Sequence, residues 1–267
     1  MTLTAAQIDA ATADLLTAEQ ERRQIGLLSA RHPDMTLDDA YAIQAALMER
    51  KLATGRRIIG WKIGLTSKVM QQALAIDTPD SGVLYDDMWF DHGATVPAGH
   101  FIQPRIEVEI AFVLKAPLAG EVTREDVLAA TDYVVPAIEI LDTRIVRTDE
   151  ATGRRRIITD TVADNAANAG IVVGAQRHAP DDLDLRWVGA IVGKNDETVA
   201  TGLGAGVLDD PVIGLVWLAR RMHTYGQRME AGQVVLSGSF VTPVECPSGT
   251  RIRADFGDFG QLAVDFE

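Results

Sequence analysis

Apolar residues recur along the chain with two different periods, and the period changes near residue 57. Ahead of that point the spacing is helical. Ile8, Ala11, Leu15 and Ala18 trace one stripe of a helix over 4–24. Thr36 and Asp39 open a second helix over 36–53 in the manner of a capping box, and Gly55 suits its end. From Arg57 the pattern turns to period two. Strands are expected at Arg57–Gly64, Val83–Phe90, Pro104–Lys115, Tyr133–Leu141, Ile171–Val173, Val234–Phe240, Thr250–Phe256 and Gln261–Phe266. Arg186–Val192 and Glu197–Gly202 read as a hairpin turning at Asn195-Asp196. Pro136 confines its strand to an edge or a bulge, because proline cannot donate to a ladder. Short helices interrupt the strands. Ser67 caps one running to about Ala75, after which 77–82 is turn-rich. Thr123-Arg-Glu-Asp126 precedes one over Val127–Thr131, and Asp209 or Asp210 caps one that runs to about Tyr225 and stops at Gly226. Residues 142–163, polar and carrying Arg154, Arg155 and Arg156, read as a long loop, either a lid or a solvated excursion. The expected organisation is therefore a helical portion over 1–56 and a β-rich catalytic domain over 57–267. Strands without regular helices between them disfavour a doubly wound sheet or a TIM barrel.

In the strand Pro104–Lys115, Ile106, Val108, Ile110, Phe112 and Leu114 share one face, and Glu107 and Glu109 share the other. The two acids stand roughly 6.5 Å apart at Cα, within reach of one cation. Alone, this fits a face turned to solvent. The same face continues as Ala111 and Val113, however, which suggests burial one step later. Glu139, between Ile138 and Ile140, is a third acid in an apolar strand, where a carboxylate is costly unless paired or bound to metal. Three such oxygens point to Mg²⁺ or Mn²⁺. Lys62, between Trp61 and Ile63, is either a solvent-facing strand lysine or an ammonium held near that metal. Asp80 is either a turn aspartate or a base.

Composition narrows the alternatives. A formal charge of −13 argues against a nucleic-acid partner, whose phosphates need a basic surface. The 47% of hydrophobic residues supports a substantial core. The one cysteine, Cys246, cannot form an intrachain disulfide and fits a reducing compartment. The first residues lack the basic and apolar regions of a signal peptide, and no stretch approaches the ~18 apolar residues of a membrane span. Cytoplasmic location and no membrane partner are expected. The five histidines show no metal-ligand spacing, no Gly-x-Ser-x-Gly elbow is present, and no G-x-G-x-x-G follows a strand.

Several longer segments occur in order: Gly60-Trp-Lys-Ile-Gly-Leu-Thr-Ser67, Pro79-Asp-Ser-Gly82, Pro104-Arg-Ile-Glu-Val-Glu109, Asp132-Tyr-Val-Val-Pro-Ala-Ile-Glu139, Asp164-Asn-Ala-Ala-Asn-Ala-Gly170, Gly204-Ala-Gly-Val-Leu208 and Asp255-Phe-Gly-Asp-Phe-Gly260. Together they resemble the hydratase/decarboxylase family of meta-cleavage pathways, within the fumarylacetoacetate hydrolase superfamily. The resemblance spans nearly the whole chain. It implies an α+β fold with a mixed β-roll core of fumarylacetoacetate hydrolase C-terminal type, a helical N-terminal portion, and a symmetric homo-oligomer, pentamer- or decamer-like. It implies Mg²⁺ or Mn²⁺ on Glu107, Glu109 and Glu139, catalytic roles for Lys62 and Asp80, and substrate contacts from Leu65 and Ser67. The segment Arg147-Thr-Asp-Glu-Ala-Thr-Gly-Arg154 points to the branch acting in homoprotocatechuate degradation. The substrate implied there is a small 2-hydroxy-2,4-dienoate with a distal carboxylate, ketonised by protonation at C5 and hydrated at C4. Arg105, Arg144 and the Arg154–Arg156 group are the candidates to hold that carboxylate. Decarboxylation of a 4-oxalocrotonate-type acid and hydration of the monocarboxylate 2-oxopent-4-enoate are the neighbouring activities. The superfamily's C–C hydrolases use a His-Glu pair that this sequence does not show as His-x-x-Glu.

Overall fold

A computed structural model describes residues 2–68, 71, 72, 76 and 78–267. The strands, in chain order, are β1 (Ile58–Gly64), β2 (Asp80–Tyr85), β3 (Trp89–Phe90), β4 (Thr95–Val96), β5 (Arg105–Leu114), β6 (Thr131–Leu141), β7 (Asn168–Val173), β8 (Gly189–Lys194), β9 (Glu197–Leu203), β10 (Val234–Ser239), β11 (Val244–Glu245), β12 (Thr250–Asp255) and β13 (Gln261–Phe266). They form two mixed sheets. The larger has the order β2-β1-β10-β5-β6-β7-β3, with β11 beside one end of β5; the smaller has the order β4-β13-β12-β8-β9. The β1–β10, β3–β7 and β4–β13 pairs are parallel, the others antiparallel. The architecture is the α+β one expected.

Helices α1 (Ala5–Glu21), α2 (Leu28–Arg31) and α3 (Leu37–Ala53) precede the strands, with α4 (Arg124–Ala130), α5 (Ile158–Ala163) and α6 (Pro211–Thr224) between them. Thr4, Thr36 and Thr123 each accept from the backbone three residues on, so the starts of α1, α3 and α4 follow directly from local sequence. The short helix expected to reach Ala75 is helical at 68, 71 and 72; residues 69, 70, 73–75 and Asp77 lie outside those described.

The apolar row of β5 (Ile106, Val108, Ile110, Phe112) is fully buried in one core with Val192, Ala254 and Val264 of the smaller sheet and Val212, Leu215 and Leu218 of α6. Ala11, Leu15, Leu28, Ala40 and Ile43 of the N-terminal helices form a second core with Ile145, Val162 and Ala163. Part of the expected loop 142–163 is thus α5, held under the N-terminal helices. Two ties fix α5 beside β2, and a third joins it to α2. Gln44 Nε2 donates to Ser81 O at 2.8 Å and Val162 O at 3.0 Å, Ser29 Oγ donates to Asp160 at 2.6 Å, and Asn165 pairs with Val83.

Two further expectations are corrected. Pro136 lies in β6 between β5 and β7, not on an edge. Its nitrogen faces the place where β7 has just ended. Gly174 N donates to Pro136 O at 2.9 Å, and a Cβ on Gly174 would stand 2.7 Å from the proline ring. The missing donor therefore falls just past the end of β7, where it costs a bond at the end of the ladder and not in its middle, and a glycine makes room for the ring. Asp80 is the first residue of β2, not part of a turn before it, and it is buried.

Candidate active site

Strand register alone brings the acids together. Glu107 pairs with Glu139 across β5 and β6, and Glu109 with Ser239 of β10. Lys62 pairs with Leu236, which pairs with Ala111; Gly64 pairs with Asp80. Directly paired residues share a face, as do residues two apart. Lys62, Asp80, Glu107, Glu109 and Glu139 therefore all project from one face of the larger sheet. An apolar wall of Leu84, Ala111, Val135, Ala137, Ile171 and Leu236, all buried, continues that face. The solvated reading of Glu107 and Glu109 is thereby excluded: Glu109 and Glu139 are fully buried, and Glu107 partly so.

One carboxylate oxygen from each of the three glutamates lies within 4.8 Å of the others. Gly238 N donates to Glu109 Oε2 at 2.7 Å and so aims that side chain. The remaining oxygen of Glu109 and both oxygens of Glu139 are buried without a hydrogen-bond partner. Lys62 Nζ lies 3.4 Å from Glu139 Oε1 and 4.0 Å from Asp80 Oδ1. Three buried carboxylates against one ammonium leave excess negative charge with unfilled acceptors. A hard divalent cation fits that donor set.

The electrostatics agree. Burial, then the charge of Glu139, pushes Glu107 up to about 8. Burial pushes Glu139 up to about 7 against the pull of Lys62. Burial, Glu139 and Glu107 together raise Glu109 well above the carboxylate range. Burial opposes the Lys62 charge, but Glu139, Asp80, Glu107 and Glu109 outweigh it and hold the ammonium above its ordinary range. Burial raises Asp80 despite Lys62 and Arg156.

Comparison with known proteins bears directly on this face. No model of a known protein family matches the chain. The 2-oxo-hept-4-ene-1,7-dioate hydratase of Escherichia coli is 46% identical over 250 residues, covering 93% of this chain and 94% of that protein. The chain belongs to the hydratase/decarboxylase family of the fumarylacetoacetate hydrolase superfamily. Another relative, the 2-keto-4-pentenoate hydratase of Paraburkholderia xenovorans strain LB400, is 41% identical and covers 99% of this chain and 97% of its own. The solved 4-oxalocrotonate decarboxylase of Pseudomonas putida G7, complexed with magnesium and adipate, matches with a TM-score of 0.93 at 33% identity, over 100% of this chain and 99% of that one. The resemblance drawn from the ordered motifs holds, and this hydratase-family chain is an enzyme.

Other residues expected at the family site fall in different places. Leu65 follows β1 in the left-handed region, with φ of 55°, and its carbonyl accepts from Gln71 Nε2 at 2.6 Å. A non-glycine residue held there stores strain of about 1–3 kcal/mol, as site loops often do. Ser67 lies in the same loop, its carbonyl accepting from Gln71 N. Arg105 is tied to Glu245 at 2.6 Å. Arg144 is buried against Asp164, with Nε 2.5 Å from Oδ1 and further bonds to the Asp164 and Asn168 carbonyls. Its guanidinium is committed to its own chain, and it holds the Asp164–Asn168 turn. In that turn Asn165, Ala166 and Ala167 all have positive φ, and the Asn165 amide bonds Val83 N and O like an added strand on the free edge of β2.

Glycines were not read from the sequence as site residues, yet they shape the face. A Cβ on Gly64 would stand 2.3 Å from Asp80 Oδ1 and 2.8 Å from Lys62 Nζ. One on Gly238, at φ of 118°, would collide with Thr66. The only signal was their place in Trp61-Lys-Ile-Gly64 and Ser237-Gly-Ser239. Gly64→Ala is expected to displace Lys62 and Asp80 and lower kcat roughly 10- to 100-fold, the scale of a misplacement of about 1 Å. Steady-state kinetics beside a melting curve check this. A wild-type kcat would show that the pair tolerates the methyl group.

Proposed function

We propose that this enzyme adds water to the seven-carbon 2-hydroxyhepta-2,4-dienedioate, the dienol of 2-oxo-hept-4-ene-1,7-dioate, giving 4-hydroxy-2-oxoheptane-1,7-dioate in aromatic catabolism. The carrying observation is the cluster of Glu107, Glu109 and Glu139 with unpartnered buried oxygens beside Lys62. The 46% identity to the Escherichia coli hydratase supports the choice of substrate.

The three glutamates would hold Mg²⁺ or Mn²⁺. When bound, the cation supplies Lewis acidity to the 2-oxo acid head of the substrate. Lys62, fixed between Glu139 and Asp80, presents an ammonium to the C2 oxygen and steadies the negative charge that develops there. Asp80, whose burial favours its protonated form, delivers a proton to C5 as the C2 hydroxyl loses its own. The double bond then lies between C3 and C4. As a carboxylate, Asp80 next takes a proton from the attacking water as the hydroxyl joins C4, and the proton released by the C2 hydroxyl, carried meanwhile by water, joins C3. The wall of Leu84, Ala137, Ile171 and Leu236 keeps bulk water off this face. Residues 1–56 serve in this reading as a helical support for the catalytic body over 57–267. The enzyme works in the cytoplasm as a homo-oligomer, and the described residues contain no helix long and apolar enough to cross a membrane.

The test is loss of dienol absorbance with CO₂ measured in parallel. The expected result is decay of the seven-carbon dienol without CO₂, abolished by EDTA and restored by Mg²⁺. Stoichiometric CO₂ would make the enzyme a decarboxylase. Full activity after removal of metal would end the metal role.

A further inference from the structure

The substrate proposed above ends in a second carboxylate, and a carboxylate taken out of water needs a cation. We infer that Arg156 is the residue that reads this far carboxylate; the inference rests on the proposed dicarboxylate substrate and deepens it.

Among the arginines weighed from the sequence, Arg105 is paired with Glu245 and Arg144 with Asp164, while Arg154 and Arg155 are exposed. Arg105 also keeps a buried Nε without a hydrogen-bond partner, but it is ion-paired with Glu245, whereas Arg156 has no such pair among the described residues. It is half-buried, its Nη1 is shut off from solvent without a hydrogen-bond partner, and no carboxylate among the described residues comes within ion-pair distance. An enclosed guanidinium nitrogen with no acceptor is costly unless a ligand supplies one.

Its backbone is not free to move away. Arg156 N donates to Arg147 O at 3.0 Å, and Asp149 N to Arg154 O at 2.8 Å, closing the excursion into a short two-stranded loop. Directly after it comes α5, which Gln44 and Asn165 hold beside β2 and Ser29 ties to α2. The same β2 begins with Asp80, on which the Arg156 charge acts after that of Lys62; on Arg156 itself the charges of Asp164, Arg144 and Asp160 act more strongly than that of Asp80. Lys62 and Asp80 thus stand beside the glutamates, and Arg156 lies on the segment that leads into α5, whose Val162 shares the Gln44 amide with Ser81, the neighbour of Asp80. A substrate with its 2-oxo acid head at the glutamates and C5 at Asp80 carries C7 onward in the direction of Arg156. Planar guanidinium and planar carboxylate then meet as two parallel hydrogen bonds. Arg221 also acts on Asp80, but it is stacked against the Tyr41 ring at 3.3 Å and near the Tyr225 ring at 4.7 Å.

The experiment compares kcat/KM for the seven-carbon dicarboxylate dienol and for the five-carbon monocarboxylate 2-hydroxypenta-2,4-dienoate. In Arg156→Gln the ratio of the two is expected to fall at least about 30-fold, the scale of removing one partner of a buried charge pair. Arg156→Lys recovers part of it, since an ammonium keeps the charge but not the fork. Arg154→Gln, Arg155→Gln and Arg221→Gln leave the ratio within about twofold. Competition by 2-oxoheptanedioate against 2-oxopentanoate gives the same comparison without turnover. An unchanged ratio in Arg156→Gln, or loss of the ratio in Arg221→Gln instead, overturns the assignment. Equal loss on both substrates does so too, because it marks a structural role. If wild-type enzyme does not hydrate the dicarboxylate at all, the proposed substrate fails first, and the assignment with it.

Discussion

Glu139→Gln is expected to lower kcat/KM by about 10³-fold or more, equivalent to roughly 4 kcal/mol at 1.36 kcal/mol per decade. Glu139 faces Glu107 across the β5–β6 ladder, its oxygens belong to the metal-sized cluster, and it is the nearer carboxylate to Lys62. Glutamine keeps the shape but removes an anionic donor and the ion pair that positions the ammonium. The same change takes a buried charge out of a crowded acidic cluster. The metal-free variant should therefore melt no lower than metal-free wild type at pH 8, while losing most of the Mg²⁺-induced rise in melting temperature. Both readouts are needed. Lost activity with an intact Mg²⁺ response would place Glu139 outside the metal site. A collapsed melting temperature would make it a structural residue. Glu107→Gln should behave alike, and Lys62→Met should lose activity while retaining the Mg²⁺ response.

Stabilisation by Mg²⁺ should grow with pH, for a reason whose sign can be worked through. Glu107 and Glu139 are raised from the ordinary glutamate value of 4.5 to about 8 and about 7, first by burial. A carboxyl group with a raised folded-state pKa stabilises the fold fully below its unfolded value and loses that contribution as pH climbs through the folded one. The three acids are close enough to titrate as a set. Metal-free protein should thus lose stability from about pH 4.5, where the unfolded chain releases these protons, to about pH 8, where the folded chain has released those of Glu107 and Glu139 as well. A bound cation supplies the missing charge, so it binds more tightly where fewer protons compete and displaces protons where they remain. At 100 times its dissociation constant a ligand adds about 2.7 kcal/mol. For a chain of this size that corresponds to ~5–10 °C in melting temperature. The gain should be largest near pH 9 and shrink toward pH 6. Calorimetry in two buffers of different ionisation enthalpy should show proton release near pH 7. An equal gain at both pH values, with no protons released, would mean that Mg²⁺ binds elsewhere.

Local chemistry made most of the elements legible. The Thr4, Thr36 and Thr123 caps are satisfied within three residues, so nothing distant is needed to start those helices. Asn195 and Asp196 take φ of 50° and 71°, as the two-residue hairpin turn expected there requires. The alternation in β5 correctly separated Ile106, Val108 and Ile110 from Glu107 and Glu109, because the side-chain period of a strand is a property of the backbone alone. Pro136 was misjudged, since whether its missing donor matters depends on where a different strand ends. Asp80 was placed in a turn because its neighbours Pro79 and Ser81 suit one, whereas pairing with Gly64 draws it into the sheet.

The sequence by itself determined that three glutamates and a lysine interrupt apolar strands, and its ordered motifs determined the family. It could not determine that these groups meet. Glu107 and Glu139 are thirty-two positions apart in the chain, and only the β5–β6 register sets them opposite each other. A slip of one residue would turn Glu139 to the other face. Nor could it separate Arg144 from Arg156, both arginines in one polar stretch. The difference lies in partners: Asp164 is folded onto Arg144 by a left-handed turn, and among the described residues no carboxylate comes within ion-pair distance of Arg156. Burial and partnership are properties of the packed chain, so the tertiary structure alone decided which acids come together and which arginine lacks a carboxylate partner among the described residues.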